Sequence, residues 1–331
     1  GNKLTSQYVS TYDLINNSKR NSIMVVIAYI LLFALLFAFI GYMLGGTTLN
    51  TGNQYDIYFT IVTGGMLGIL ISLIISFYTY RNSGKILAKA ANAVEVRKEE
   101  YPFLYETIES IAIGAQVQPP KAYLIETEEL NAFASGSSGG KSMVAVTKGL
   151  LETLNREELE GVIAHEIAHL KNDDIKFVSL VAALSATLLL LLRMLSRGFF
   201  YSGRGRRSGS GGSQKGGGNP LITLILIVLA VLAIALAPLV VKAMQSAVSK
   251  QREYLADSSG ASIIGYPLGL ASALEKIDAR NKAYLETNKT TFTNTSIHAL
   301  CISKPIDRKV SNLFSTHPPI KERVRRLRGG R

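Results

Sequence analysis

His165-Glu-Ile-Ala-His169 stands near the middle of a 331-residue chain, and its spacing says more than any other stretch about what the chain becomes. On a helix, residues four apart share a face, so the two imidazoles are placed to hold one Zn²⁺. Glu166, one step round from His165, sits beside such an ion without ligating it and is placed to take a proton from water. Asn155 with Glu158 three residues on is a capping-box start, which predicts a helix running to about Asn172. A catalytic zinc has three protein ligands and one open position, so a third donor is needed from elsewhere. The remaining histidines are His298 and His317; the other candidate is Glu253 in Ser249-Lys-Gln-Arg-Glu-Tyr-Leu-Ala-Asp257. Asp257 lies one helical turn beyond Glu253, placed to reach the second nitrogen of a ligating histidine and so fix its tautomer. The residues alone also allow a plainer arrangement, with Glu253 and Asp257 paired to Lys250 or Arg252 on a solvated face.

Outward from this stretch the chain turns strongly apolar. No charged residue falls between Met24 and Leu44 or between Tyr58 and Tyr78, and each run has the roughly 20 residues that a bilayer-spanning helix needs. Gly41 with Gly45 and Gly64 with Gly68 offer small-residue faces on which these two helices can approach closely. A third run, 177–192, is short, about 24 Å as a helix against a hydrocarbon core of about 30 Å. A fourth, 221–241, is long enough despite Pro238. The first run starts too far in, is too long, and lacks a small-residue cleavage pattern, so it is read as a retained span rather than a signal peptide. Lys19 and Arg20 precede it, the loop 45–57 has no Lys or Arg, and Arg81, Lys85, Lys89, Arg97 and Lys98 follow the second span. By the positive-inside bias the N-terminal segment 1–23 and everything from residue 81 face the cytoplasm, and 45–57 is extracytoplasmic.

Composition narrows the function classes. The net charge of +12 sits beside the apolar runs and near residue 331, without aromatic interleaving, so anionic lipid headgroups account for it and nucleic acid does not. One cysteine, Cys301, excludes an internal disulfide. Residues 81–176 read as the first part of a soluble α+β unit, with a helix over Pro102 to Gln116 and a hairpin of Leu130–Ser135 and Met143–Lys148. Residues 193–220 form a Gly/Ser-rich loop with five basic side chains between Arg197 and Lys215, and 243–331 complete the unit. Because His165 and Glu253 must meet at one metal, whatever lies between them has to return the chain to the same side of the membrane.

The motif continued as Leu-Lys-Asn-Asp-Asp174, the run Arg252-Glu-Tyr-Leu-Ala-Asp257 and Thr316-His-Pro318 together resemble the HtpX family of membrane zinc metalloproteases, relatives of the prenyl-protein endopeptidases. The resemblance covers nearly the whole chain. It implies that Glu253 is the third ligand and that the activity is proteolysis of membrane or misfolded proteins, a quality-control role in stress response. It implies that Asn131-Ala132 belongs to an edge strand that holds an extended peptide by strand addition. It further implies that His317 stands near the metal as an oxyanion stabiliser, although Pro318-Pro319 and the basic run to Arg328 also read simply as a helix start. The same likeness makes a bacterial cytoplasmic membrane the expected location.

The expectation is therefore an α-helical membrane protein carrying a zincin-like α+β metalloprotease domain, with one Zn²⁺ per chain, protein or peptide substrates and the lipid bilayer as its partners. The competing class is a non-catalytic zinc-stabilised scaffold or a transporter subunit. A structural zinc has four protein ligands and no use for Glu166, and the apolar runs carry no charged relay of the kind transporters need.

Overall fold

The computed structural model describes residues 11–48, 54–136, 141–173, 175–187, 227–228, 231, 250–287 and 318–329. Its elements in chain order are α1 (Thr11–Thr48), α2 (Gln54–Ala90), β1 (Ala93–Glu95), α3 (Pro102–Ala115), β2 (Lys121–Ile125), β3 (Ala132–Ser135), β4 (Met143–Thr147), α4 (Lys148–Thr153) and α5 (Arg156–Lys171). They continue as α6 (Lys176–Thr187), α7 (Lys250–Ile264), α8 (Pro267–Thr287) and α9 (Ile320–Leu327). The loop 193–220 lies outside the described residues, as does the fourth apolar run but for three positions.

The chain divides into two compact units. One comprises 23–79 and 184–240. Here α1 and α2 are long and apolar enough to cross a membrane over Lys19–Tyr42 and Tyr55–Ala90, and they display large apolar side chains such as Leu35, Phe59 and Met66. They touch through backbone. A Cβ on Gly41 would stand 2.1 Å from the Thr60 carbonyl oxygen, one on Gly64 2.3 Å from that of Phe37, and one on Gly68 2.5 Å from that of Phe33. Three of the four expected small residues thus make the close approach that van der Waals packing between apolar helices needs.

The other unit comprises 1–22, 80–183 and 241–331. Its sheet has the order β1-β2-β4-β3, with β2 and β4 parallel and the two flanking pairs antiparallel. The β3–β4 pairing matches the two strand candidates, Leu130–Ser135 and Met143–Lys148, read from sequence. β1 and β2 were not expected: β1 has three residues, and β2 is a short buried run behind Pro119-Pro120 with little alternation to announce it. β3 is an edge strand.

Helix α5 runs through the middle of this unit, in contact with α3, α7, α8, β3 and β4. Asn155 caps it as expected: its side chain accepts from the Glu158 N–H at 2.9 Å, and the Glu158 carboxylate accepts from the Asn155 N–H at 2.9 Å. Buried Glu158 also accepts from Ser272 Oγ at 2.5 Å and Lys276 Nζ at 2.7 Å, fastening the start of α5 to α8. Desolvation opposes ionisation of Glu158, but the hydrogen bonds from Lys276, Ser272 and the Asn155 backbone outweigh it and hold the carboxyl below its ordinary value. The helix is buried on nearly all sides from Glu158 to Leu170, the pattern of a core helix rather than an amphipathic surface one. Its neighbours come so close that side chains are excluded. A Cβ on Gly161 would lie 2.5 Å from the Leu270 nitrogen, and one on Gly260 of α7 2.9 Å from the His165 nitrogen.

Gly161→Ala is expected to destabilise the protein. The alanine gains about 1 kcal/mol of helix propensity but meets rigid backbone of α8, an overpacking that costs on the order of 1–3 kcal/mol and adds to displacement of the helix. Gly114→Ala on α3, where a Cβ meets nothing within 4 Å, is the control. Thermal unfolding in detergent is expected to show a lower Tm for the first variant and an unchanged or higher one for the second.

Candidate metal centre

Buried histidines and glutamates on α5 need partners, and α7 supplies them. Because Gly260 lets α7 lie against the α5 backbone at His165, the residues one and two turns earlier on the same face, Asp257 and Glu253, point at the two histidines. The rings of His165 and His169 stand edge to face with centroids 4.7 Å apart. Glu253 Oε1 is 3.5 Å from His169 Nε2, and Glu253 Oε2 is 3.8 Å from His165 Nε2. All three residues are buried, and their ligating atoms lie within 4.8 Å of one another.

These separations fit a metal ion. Donors about 2.0–2.1 Å from a tetrahedral zinc stand roughly 3.3–3.5 Å from each other, close to the spacing found here. Two atoms of the site point to the same conclusion: His165 Nε2 and Glu166 Oε1 are buried with no hydrogen-bond partner. A buried polar atom left so is costly unless something else satisfies it. Two imidazoles and one carboxylate are the donor set of a divalent transition metal with an open position.

Glu166 itself is fully buried beside the two histidines. Burial pushes its carboxyl pKa up, the neighbouring imidazoles draw it down, Glu253 raises it again, and the Ala134 N–H donates to the ionised form; the balance is upward. That N–H belongs to the outer edge of β3, so the edge strand itself helps to aim the carboxylate.

Asp257 accepts from His165 Nδ1 at 2.9 Å, which leaves Nε2 as the nitrogen facing Glu253. Its second partner was not expected. Arg323 of α9, itself buried, donates from Nε to Asp257 Oδ2 at 2.9 Å and from Nη2 to Oδ1 at 2.7 Å, and its Nη1 lies 3.5 Å from Glu253 Oε2. Desolvation disfavours the Asp257 carboxylate, yet the guanidinium charge and the bonds from His165 and Arg323 hold its pKa far below the usual range. Helix α9 begins after Pro318-Pro319 as the sequence suggested, and Arg326 stacked over the Tyr254 ring at 3.8 Å and Arg328 paired with Glu275 at 2.7 Å seat it against α7 and α8. In a run with so many basic residues, spacing alone does not single out the one that turns inward.

Asn131 and Ala132 lie at the start of β3, buried. Asn131 is held to Thr147 on β4 twice, its N–H donating to the Thr147 side-chain Oγ1 at 3.0 Å and its C=O accepting from the Thr147 backbone N–H at 3.0 Å. Its side-chain oxygen accepts from the Ala132 N–H at 3.0 Å. His317 lies outside the described residues.

Comparison with known proteins places the chain in a family. Residues 99–330 match Peptidase family M48. A protease HtpX homolog of Dictyoglomus thermophilum is 37% identical over 318 residues, which is 96% of this chain and 94% of that protein. One of Thermoanaerobacter pseudethanolicus is 35% identical over 312 residues, covering 94% of this chain and 95% of its own length. Among solved structures, S. mikatae Ste24p aligns with a TM-score of 0.43 at 19% identity, over 87% of this chain and 63% of that one.

Removing the charge of Glu253 while keeping its shape tests the donor set. Glu253→Gln is expected to weaken zinc binding by more than the roughly 10–100-fold that loss of an outer partner causes. Competition with a chromogenic chelator reads this directly; unchanged affinity would take Glu253 out of the site.

Proposed function

This chain belongs to Peptidase family M48 and is an HtpX-type membrane metalloprotease, and we propose that it is a zinc endopeptidase hydrolysing membrane or misfolded proteins, with Glu166 as general base. The observation that carries the reading is the buried, unpartnered Glu166 Oε1 on the same helix turn as the unpartnered His165 Nε2, both beside a three-donor cluster.

In this reading His165, His169 and Glu253 hold one Zn²⁺ per chain. The ion, when bound there, supplies a Lewis acid for the scissile carbonyl and for the attacking water. Glu166 takes a proton from that water as its oxygen bonds to the carbonyl carbon. The same carboxylic acid then gives the proton to the amide nitrogen as the C–N bond breaks, leaving one new carboxylate and one new amine. No covalent acyl-enzyme is needed.

Substrate would lie along β3 as an added strand, with Asn131 and Ala132 at one end of that edge. The position of β3 at the sheet edge, with Ala134 already beside Glu166, supports this. His317 is assigned to the oxyanion by family likeness. The basic residues flanking the two spans favour a cytoplasmic site, and the family likeness favours a bacterial cytoplasmic membrane and a quality-control role. A family of peptidases gives no support to the scaffold or transporter alternatives.

The test is cleavage of an unstructured reporter protein by the zinc-loaded chain in detergent, beside Glu166→Gln, with bound zinc quantified in both. The variant is expected to keep one zinc per chain and lose on the order of 10²–10⁴ in rate. Cleavage at the unmodified rate would remove Glu166 from the mechanism.

A further inference from the structure

Arg323 is a charged side chain in the interior that the hydrolysis described above does not use. A buried guanidinium is retained against a large desolvation cost only where its donors are matched. Here they are: two of them take both oxygens of Asp257 in the two-point geometry that a planar fork allows. A third points towards Glu253 Oε2 at 3.5 Å. One cation therefore faces two carboxylates that lie one turn apart on α7, of which the first is a proposed ligand and the second holds a proposed ligand's ring.

The contacts at His165 Nδ1 explain why this matters. Asp257 Oδ1 is 2.9 Å from Nδ1, while Arg323 Nη2 is 3.5 Å from the same nitrogen. Arginine only donates and an ionised aspartate only accepts, so the two neighbours favour opposite tautomers. With Asp257 close, Nδ1 carries the proton and Nε2 presents its lone pair to the metal. With Asp257 displaced, Nδ1 would accept from the guanidinium and Nε2 would carry the proton, a form that cannot ligate.

We propose that Arg323 is a positioning residue for the metal centre: by clamping both oxygens of Asp257 it keeps His165 in the ligating tautomer, and by its charge it keeps the Glu253 carboxylate at the site before metal arrives. The proposal rests on the metal-site reading above, but not on Glu166 or on catalysis. Helix α9 thereby becomes part of the metal centre although it carries no ligand.

The experiment measures zinc affinity of the full chain in detergent by chelator competition, for Arg323→Met, Arg323→Lys, Asp257→Asn and the Arg323→Met/Asp257→Asn double variant. Thermal unfolding of each metal-free protein is recorded alongside. Arg323→Met is expected to weaken zinc binding about 10–100-fold, the range typical of outer-shell partners. Arg323→Lys, which keeps the charge but not the two-point fork, recovers only part of that. If Arg323 acts through Asp257, the double variant loses about as much as its more damaging single variant, and not the product of both. A folded Arg323→Met with unchanged zinc affinity overturns the proposal, and losses that multiply in the double variant overturn the clamp through Asp257. Where Arg323→Met does not fold, full affinity in Arg323→Lys overturns the two-point clamp. Because the readout is metal affinity, a failure of the Glu166 assignment leaves these outcomes distinguishable.

Discussion

Two helices meet without a side chain between them where Gly260 of α7 faces the backbone of α5 at His165, and the site is built on that contact. Glu253, Asp257 and Gly260 share one face at intervals of four and three residues, so closeness at the glycine brings both carboxylates to the histidines. The result is a set of two imidazoles and three carboxylates in a region almost without solvent access. Such a set is unstable as like charges in a low-dielectric interior unless cations answer it. Arg323 supplies one positive charge, and the spacing of the remaining donors suits a divalent ion for the rest.

The scaffold around this contact rigidifies it from several sides. Glu158 closes the start of α5 and ties it to α8 through Ser272 and Lys276, one carboxylate serving as both cap and interhelical link. β3 approaches from the sheet side with the Ala134 N–H on Glu166. Helix α9 closes over α7 through a stacked guanidinium on Tyr254. A constellation of this kind must be held to within fractions of an ångström to work, and here every polar member leans on a helix or strand rather than on a loop.

Much of this was legible in sequence, for identifiable reasons. The His165–His169 spacing and the Asn155–Glu158 cap are local, and local patterns survive folding unchanged. The two spans are composition, and the hairpin is two short strand candidates either side of a Gly/Ser stretch. The reach of Asp257 to a histidine ring was also readable, since one helical turn fixes where Asp257 lies relative to Glu253. What was not readable is non-local or featureless. β1 is too short to carry a pattern, and β2 pairs in parallel with β4, a long-range choice that no neighbouring residue marks. Arg323 is one arginine in the basic run of α9; only packing against α7 shows that it turns inward to Asp257, while Arg325 pairs with Glu322 at the surface and Arg326 lies over the Tyr254 ring. The site's third donor was open on residues alone, and only the family resemblance implied Glu253, because 84–88 residues separate it from the histidines.

The central claim is that His165, His169 and Glu253 hold one zinc with a position left open for chemistry. X-ray absorption at the zinc edge of the loaded chain in detergent tests it most directly, compared with Glu253→Gln. The account requires two imidazole nitrogens at about 2.0–2.1 Å, a carboxylate oxygen in the same shell that is lost in the variant, and a further light atom not from protein. A closed shell of four protein ligands, or a spectrum identical in the variant, would contradict it.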